Sequence, residues 1–247
     1  MPEFTLHQQW AYARIRFIAP ILGTAQANED VYRKYIGAKA PDPDVAEAQA
    51  QDLPEGESPE ERGWTTFLCE GGQGENEQFL HPYLPSYQIK GYLKGKGNET
   101  KNQAKVRALS SKIEKNVYIH PDKIHFLDDE LDSVEFPDGI TSRSLNANTP
   151  QGKRTSIATS HHIDRGRHLA FWVCVNMELP KELDLLTVKS LLKFGIFSGL
   201  GQWRSSGKGR FKLEKFQEVD MPEDWQSIME LARMDEQVPM LDEGSKA

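Results

Sequence analysis

The sequence predicts an α+β fold of the ferredoxin-like type, with a β-α-β-β-α-β core and long loop insertions. Three observations support this prediction. The nearly continuous apolar run over 168–179 is typical of a central strand. Apolar residues at helical spacing between 184 and 197 predict a helix. The predicted elements also follow one another as strand, helix, strands, strand, helix, strand.

The first half of the chain supplies a long strand, three helical segments and three short strands. A period-2 alternation over 10–22 predicts the first strand, which Pro20 and Gly23 should end. Apolar spacing then predicts the elements that follow. The expected helices are 25–36, 82–94 and 101–115, and the expected short strands are 64–68, 117–119 and 124–127.

The second half supplies the last strand and a tail. Alternation over 211–219 predicts a strand, and 225–233 is expected to form a terminal helix. The polar, proline-containing stretches between elements are interpreted as loops. We therefore expect a single core domain over 1–220, with insertions at about 37–80 and 128–167, and an acidic helix and tail over 221–247.

The composition is that of an ordinary soluble globular protein. The 247 residues are 38% hydrophobic and 27% charged, and no apolar run is long enough to predict a membrane span. The first residues lack the basic and apolar regions of a secretory signal. The two cysteines, Cys69 and Cys174, cannot form a disulfide framework. These features predict a cytoplasmic protein.

Charge is segregated along the chain. The formal net charge of -7 argues against a polyanionic partner, but 41–62 holds eight acids and one base. In contrast, 90–115 holds eight lysines and arginines against two acids. A local basic face matters more to a polyanion than the net charge does. Nucleic-acid binding therefore stays possible.

The stretch 200–211, which we call the glycine loop, is the strongest binding candidate. It reads Leu-Gly-Gln-Trp-Arg-Ser-Ser-Gly-Lys-Gly-Arg-Phe, with three glycines and three cations. Glycines let a backbone approach a ligand closely, and backbone N–H groups with cations can hold phosphate. The loop follows a predicted helix and precedes a strand, which is the reverse of a nucleotide P-loop. The pattern therefore favours a polyphosphate backbone over a mononucleotide.

A second motif lies upstream at 85–94, Pro-Ser-Tyr-Gln-Ile-Lys-Gly-Tyr-Leu-Lys. It is similar to the Pro-x-Ser-Ser-x-Lys-Gly-x-Leu-Arg segment of the RAMP superfamily, with Tyr87 and Gln88 in place of the Ser-Ser pair. The glycine loop in turn resembles that superfamily's C-terminal glycine-rich loop. These are RNA-binding proteins of CRISPR effector complexes with a ferredoxin-like fold, so the resemblance implies the fold predicted above.

The resemblance also implies a backbone-type subunit of an oligomeric ribonucleoprotein that assembles along a guide RNA in antiviral defence. A phage or mobile-element homologue is equally allowed. In such subunits a loop after the first strand can carry an aspartate that cuts target RNA. The corresponding loop here, 23–30, offers Asp30, whose alternative role is a helix N-cap.

The expected partner is RNA or single-stranded DNA, held through its phosphates in a salt-dependent and sequence-tolerant manner. Aromatic residues beside the cations, Tyr87, Tyr92 and Trp203, are candidates for stacking on bases. The predicted nucleic-acid-binding residues are Lys90, Lys94, Lys153, Arg154, Gly201, Arg204, Ser205, Ser206, Gly207, Lys208, Gly209 and Arg210. Lys153 and Arg154 are expected in a long loop that could clamp the strand.

Histidines concentrate at His161, His162 and His168. In an extended segment His161 and His162 point to opposite sides, so we predict neither a metal site nor a cofactor. With Asp30, these histidines are the candidate catalytic residues if the chain is an endoribonuclease of the same fold, with or without metal. The other alternative is a structural subunit that binds no nucleic acid, which the net charge favours.

Overall fold

The structure is a computed structural model that describes residues 7–36, 49–54, 56, 58, 60–71, 79–100, 102, 106–149, 152–177 and 183–221. Its strands are β1 (His7–Phe17), β2 (Ile21–Leu22), β3 (Ala25–Gln26), β4 (Thr65–Thr66), β5 (Leu68–Cys69), β6 (Pro82–Pro85), β7 (Val117–His120), β8 (Lys123–Leu127), β9 (Gly139–Thr149), β10 (Gly152–Ile163), β11 (His168–Met177) and β12 (Phe211–Val219). The main helices are α1 (Glu29–Ile36), α2 (Ser86–Glu99), α3 (Leu109–Asn116) and α4 (Leu185–Lys193). Short 3-10 turns occupy Glu61–Gly63, Phe194–Ile196 and Arg204–Ser206.

The central sheet is antiparallel, with its four principal strands in the order β12-β1-β11-β7. β1 pairs along its length with β11 on one side and with β12 on the other. β8 also pairs with β11, and β6 and β5 extend the sheet beyond it. β1 is therefore buried between two long partners, as its unbroken strand pattern predicts.

Two crossover connections define the topology. The chain runs from β1 through α2 and α3 to β7, with β11 lying between the two strands. It then runs from β11 through α4 to β12, with β1 lying between them. Two interleaved split β-α-β units of this kind make the ferredoxin-like α+β fold. The predicted fold class is confirmed.

Helices α2, α3 and α4 pack on one face of the central sheet. The Tyr92 hydroxyl of α2 donates a hydrogen bond to the Leu191 carbonyl of α4, 3.3 Å away, and the Tyr92 ring meets that of Phe211 at 5.3 Å. α4 begins where the Asp184 carboxylate accepts a 2.7 Å bond from the Thr187 N–H, an N-cap that satisfies a free helix donor. None of the described helices has the length and apolarity needed to cross a membrane.

A second, smaller sheet has the order β2-β10-β4-β3, and β9 pairs with β10 as a long hairpin. The prediction that 139–163 is loop is wrong. The segment is rich in Ser, Thr and Asn and shows little apolar alternation, since much of the hairpin lies against water: Ile157 is 75% exposed. Cross-strand backbone pairing, rather than burial of one face, stabilises these strands.

Other boundaries also differ from the prediction. Residues 82–85 form β6 instead of the first turn of a helix, because Pro82 and Pro85 favour an extended chain and Tyr83 pairs with His125 of β8. Residues 25–26 form β3 rather than helix. The long strands at 7–17, 168–177 and 211–219 confirm the three main strand predictions. The predicted helix 225–233 lies outside the described residues.

Candidate nucleic-acid interface

The glycine loop is folded against the connection between β1 and β2. The Gly209 N–H donates to the Pro20 carbonyl at 2.8 Å, and the Ile18 N–H donates to the Arg210 carbonyl at 2.8 Å. Within the loop, the Leu200 N–H donates to the Gly209 carbonyl at 3.0 Å. Both ends of the loop are therefore held by backbone hydrogen bonds, which leaves its middle part, 202–208, to project from the fold.

Two glycines are required by this geometry. Gly209 has φ +67°, and a Cβ there would lie 1.9 Å from the Leu200 carbonyl oxygen. Gly201 has φ +75°, and its Cβ would lie 2.6 Å from the carbonyl oxygen of Leu22. Only glycine combines a positive φ with such close backbone approach. These two glycines shape the loop that carries the cations between them.

The three loop cations have no acidic partner among the described residues. Arg204 and Arg210 are exposed and Lys208 is half-buried, and none of the three forms a described ion pair. The Arg210 side chain is steadied by a 3.1 Å hydrogen bond from its Nε to the Gly207 carbonyl. Its terminal nitrogens stay available to a ligand, as do the Arg204 guanidinium and the Lys208 ammonium.

A fourth cation reaches the loop from the hairpin. The Arg143 side chain of β9 donates from Nη1 to the Ser206 hydroxyl at 2.9 Å, and its guanidinium lies 4.2 Å from the centre of the Trp203 ring. A guanidinium over an aromatic face is attracted by the ring quadrupole. Arg143 was missed by the sequence reasoning because 143 and 206 meet only once the hairpin folds beside the loop.

Phe197, three residues before the glycine loop, has a side chain that is 76% exposed to solvent. A Cβ on Gly199 would lie 2.2 Å from the Lys208 carbonyl oxygen, so the chain at 199 touches the loop. Phe197 precedes Gly199 by two residues, so its Cα lies within about 7 Å of that contact. A large aromatic ring exposed to solvent is the kind of side chain that stacks on a nucleobase.

The aromatic residues singled out from the sequence are placed otherwise. Tyr92 is 3% exposed and belongs to the helix packing. The Tyr87 hydroxyl donates to the Gln49 side chain at 3.4 Å in a half-buried position. Trp203 is covered by Arg143 on one face. Of these three, Trp203 alone lies in the glycine loop, and Phe197 is the residue that the sequence reasoning did not find.

Lys90 and Lys94 lie on the side of α2 that faces α3 and β7. The Lys94 ammonium pairs with the Glu114 carboxylate at 2.6 Å, and the Lys90 ammonium lies 5.0 Å from the centre of the Tyr118 ring. Burial lowers the pKa of Lys90. Gln88, on the other side of the same helix, bonds to Thr24 beside β2. No described contact joins the two lysines to the glycine loop.

Lys153 and Arg154 lie on β10, at the turn end of the hairpin, where they pair with Asn148 and Ala147. The expectation that they occupy a long loop is wrong, because both belong to a continuous strand. Arg167, at the other end of the hairpin, pairs with Asp138 at 2.8 Å. Burial opposes ionisation of Asp138, but the hydrogen bonds from Arg167 and from the Asp164 N–H outweigh it and lower the pKa.

The three histidines occupy separate environments. His161 contacts the Thr66 hydroxyl through Nδ1 at 3.1 Å and packs on the rings of Trp64 and Phe79. Burial lowers its pKa. His162 contacts the Thr141 hydroxyl at 2.9 Å, on the opposite side of the strand. His168 lies between the Asp128 carbonyl and the Glu214 carboxylate.

No catalytic constellation joins these side chains within the described ranges. There, no three His, Cys, Asp or Glu side chains converge as metal ligands would. Asp30 is exposed in the first turn of α1, and the preceding Asn28 accepts the capping hydrogen bond from the Val31 N–H at 3.1 Å. Asp30 is therefore not the N-cap that the sequence suggested.

Comparison with known proteins gives a distant structural likeness. No protein-family model matches the sequence, and the search of curated proteins found no match. Among solved structures, the chain is similar to one from a cryo-EM structure of the Type III-B Cmr-beta bound to cognate target RNA. The identity is 12% and the TM-score 0.44, and the match covers 86% of this chain and 61% of that one. The chain thus spans about three-fifths of the length of that neighbour.

Proposed function

We propose that the chain binds single-stranded nucleic acid, with RNA preferred, by holding its phosphates on the glycine loop. In this proposal Arg204, Lys208 and Arg210 contact phosphate oxygens, Arg143 adds a cation from the hairpin, and Phe197 stacks on a base. We further propose a subunit of an oligomeric, RAMP-like ribonucleoprotein, in line with the two sequence motifs. The preference for RNA also rests on that resemblance.

The observation that carries the proposal is that the loop cations meet no acidic partner among the described residues. Several cations elsewhere in the described chain are offset by carboxylates: Arg16 by Asp129, Arg167 by Asp138 and Lys94 by Glu114. A molecule with a net charge of -7 has acids available for every cation. A group of four cations without a described carboxylate partner therefore favours a polyanion from outside the chain.

The geometry suits holding more than cutting. Cations on a short projecting loop contact the backbone of a strand without reading base edges, so they give affinity without sequence preference. An exposed aromatic ring accepts any base because every base has a π face. The candidate acids and bases, His161, His162, His168 and Asp30, lie apart from one another. We therefore propose a binding function rather than a nuclease.

Binding of fluorescently labelled single-stranded RNA, followed by anisotropy over a range of salt concentrations, tests the proposal. We expect the dissociation constant to rise steeply with salt. The double substitution Lys208→Ala with Arg210→Ala should weaken binding about tenfold and flatten the slope of log K against log salt by about 1.4, since about 0.7 is lost per phosphate contact on a single strand. The loss should be equal for RNAs of unrelated sequence.

The matched control removes two cations from α2, Lys90→Ala with Lys94→Ala. Because Lys94 is paired with Glu114 and Lys90 packs over Tyr118, we expect a change in affinity below about twofold, as for a screened surface charge. A loss in this control with none in the loop variant would place the site on the helices. Protein that binds no labelled RNA at low salt would contradict the proposed function altogether.

A further inference from the structure

The face of the central sheet away from the helices carries a row of large side chains. Along β1 the residues alternate between the two faces, and Trp10 and Tyr12 lie on the face away from the helices. Trp172 and Cys174 of β11 lie directly opposite them in the register. The Tyr12 and Trp172 rings meet edge to face at 5.7 Å. We call this set (Trp10, Tyr12, Trp172 and Cys174) the aromatic face.

The aromatic face is fully buried. Trp172 is 1% exposed, Cys174 3%, Tyr12 4% and Trp10 6%. Neighbours within one sheet shield the edges of an aromatic ring but not its upper surface, so burial this deep requires a second layer of chain above the sheet. Trp172 is covered so completely that its Nε1 is also out of contact with solvent.

The described helices that contact this sheet lie on the opposite face. The Leu185 N–H of α4 donates to the Gln9 side chain, and Gln9 alternates with Trp10 along β1. Lys189 of α4 lies over the Phe216 ring, and Phe216 pairs with Ala13 on that same helix side. None of these described helices, therefore, supplies the second layer over Trp172.

The chain beyond β12 is placed to supply it. Val219 pairs with Trp10, so the chain leaves β12 beside the aromatic face and continues for 26 residues, 222–247. Apolar residues at 225, 228, 229 and 232 would share one side of the helix that the sequence predicts over 225–233. Nine helical residues span about 13.5 Å, nearly the width of three strands.

The charge of the segment 222–247 is complementary to the charge around the aromatic face. The stretch 222–247 holds seven acids and two bases. The aromatic face is bordered by cations: the Lys215 ammonium lies 5.6 Å from the centre of the Tyr12 ring. Arg14, whose Nε also contacts the Glu214 carboxylate at 3.6 Å, follows Tyr12 on the same face of β1. An acidic helix with one apolar side would place its apolar residues on the rings and its carboxylates near these two cations.

We propose that the C-terminal segment 222–247 docks on the aromatic face of the central sheet as an intramolecular cap. Sheets of this fold that recognise RNA stack bases on aromatic residues of the equivalent open face. The cap closes that surface with the chain itself. It leaves the glycine loop, which belongs to another part of the molecule, free for a ligand. This proposal does not depend on the proposed function.

The two cysteines make the proposal testable in the full chain. Cys174 lies on the aromatic face, whereas Cys69 lies on β5, and both are buried free thiols. Burial raises the pKa of Cys174 to about 11 and also raises that of Cys69. Modification by a thiol reagent at pH 8, read by mass spectrometry of each cysteine peptide, reports on the two environments separately.

We expect both thiols of the unaltered protein to react slowly. The double substitution Trp225→Asp with Met229→Asp places charges on the apolar side of the segment and should detach it. Cys174 should then react at least about tenfold faster, because exposure to solvent lowers its raised pKa and each unit of that fall gives about tenfold more thiolate, while Cys69 stays slow. The matched control, Ser227→Asp, lies on the polar side and should leave both rates unchanged.

Slow Cys174 modification in the double variant would overturn the proposal, as would fast modification in the unaltered protein. So would a Cys174 that is protected only after single-stranded RNA is added, since nucleic acid would then be the occupant. If both thiols become reactive because the variant unfolds, disulfide trapping decides. Trp225→Cys or Met229→Cys should form a disulfide with Cys174 under mild oxidation, and Ser227→Cys should not. If neither cysteine variant forms this disulfide, the proposed cap is wrong.

Discussion

The glycine loop and the surroundings of Lys123 both concentrate charge, yet they are built in opposite ways. In what we call the Lys123 cluster, the Lys123 ammonium of β8 contacts the carboxylates of Asp52 at 2.7 Å and Glu70 at 2.9 Å. His125 adds a 3.0 Å contact to Glu70, and the Tyr83 hydroxyl donates to Asp52 at 2.7 Å. In the glycine loop, by contrast, three cations meet no described carboxylate.

The difference separates structural charge from charge that can serve a ligand. Each member of the Lys123 cluster is already engaged, and the cluster ties the segments around 52 and 70 to β8. Its charges are offset and produce little field at a distance. The loop cations are held in place by backbone geometry instead, so their field reaches solvent. The two regions can therefore be told apart by how each responds to substitution, salt and pH.

The largest expected effect follows from removing the geometry that presents the loop cations. Gly209→Ala adds a Cβ 1.9 Å from the Leu200 carbonyl oxygen at φ +67°, so the loop must rearrange. We expect a loss of about 2 kcal/mol or more in the free energy of unfolding, above the roughly 1–2 kcal/mol for left-handed strain alone, together with loss of RNA affinity. Urea unfolding and anisotropy measure the two effects.

Gly95→Ala is the matched control for that substitution. Gly95 lies within α2, and a Cβ there would meet no atom within 4 Å. Alanine should therefore stabilise the protein by roughly 0.5–1 kcal/mol, because glycine costs about that much in a helix interior, and leave RNA affinity unchanged. Equal effects from the two substitutions would contradict the special role of the loop backbone.

An intermediate effect is expected at Phe197, which has no counterpart in the Lys123 cluster. Phe197→Ala should weaken RNA binding by about 1 kcal/mol, roughly fivefold, at the low end of measured base-stacking contributions. The salt slope should stay unchanged because no phosphate contact is lost. Stability should also change little, since the ring is 76% exposed. A reduced salt slope would show that Phe197 positions the cations instead of stacking on a base.

The smallest expected effect is on stability at acid pH, and it arises from Glu70 in the Lys123 cluster. Burial opposes ionisation of Glu70, but the hydrogen bond from Lys123 and the charges of His125 and Lys123 outweigh it, so its pKa lies below the ordinary 4.5. A lowered carboxyl pKa stabilises the fold above the ordinary value, and this stability is lost as pH falls through the folded pKa. Between pH 7 and 3.5, Glu70→Gln should lose less stability on acidification than the unaltered protein.

The size of that difference should be below about 1 kcal/mol, because a partly exposed pair is screened by solvent. Urea unfolding at several pH values gives it directly. RNA affinity measured over pH 6–8 provides the comparison with the loop. Its cations have no titrating partner in the described part of the chain and should bind equally well across that range. If Glu70→Gln and the unaltered protein lose the same stability on acidification, Glu70 does not contribute to the acid sensitivity of the fold.

How much the sequence predicts depends on what stabilises each element. The strands 168–177 and 211–219 are predictable because a buried strand requires apolar residues in a regular pattern, which the sequence displays. The hairpin 139–163 was missed because its pairing partner, not a buried face, holds it extended. At 82–85 the prolines gave a local signal for an extended chain that the helical spacing of later residues obscured.

The candidate site likewise has features that the sequence predicts and features that it does not. Sequence alone indicated the loop cations and the glycines, and the RAMP resemblance rests on motifs that are local by nature. It could not show that Lys94 is paired with Glu114 or that Arg143 lies over Trp203. Nor could it show that Phe197 is exposed while Tyr92 is buried, because exposure depends on packing between residues that are far apart in the chain.

By itself, then, the sequence determined the order of strands and helices and therefore the ferredoxin-like class, since periodicity and glycine placement are properties of short segments. The tertiary structure decided which cations are offset and which are free, because pairing depends on residues far apart in the chain, such as 94 with 114 and 143 with 206. It also showed that Trp10, Tyr12 and Trp172 form one buried face. Residues distant in sequence meet only when strands take their register, and no local pattern contains that information.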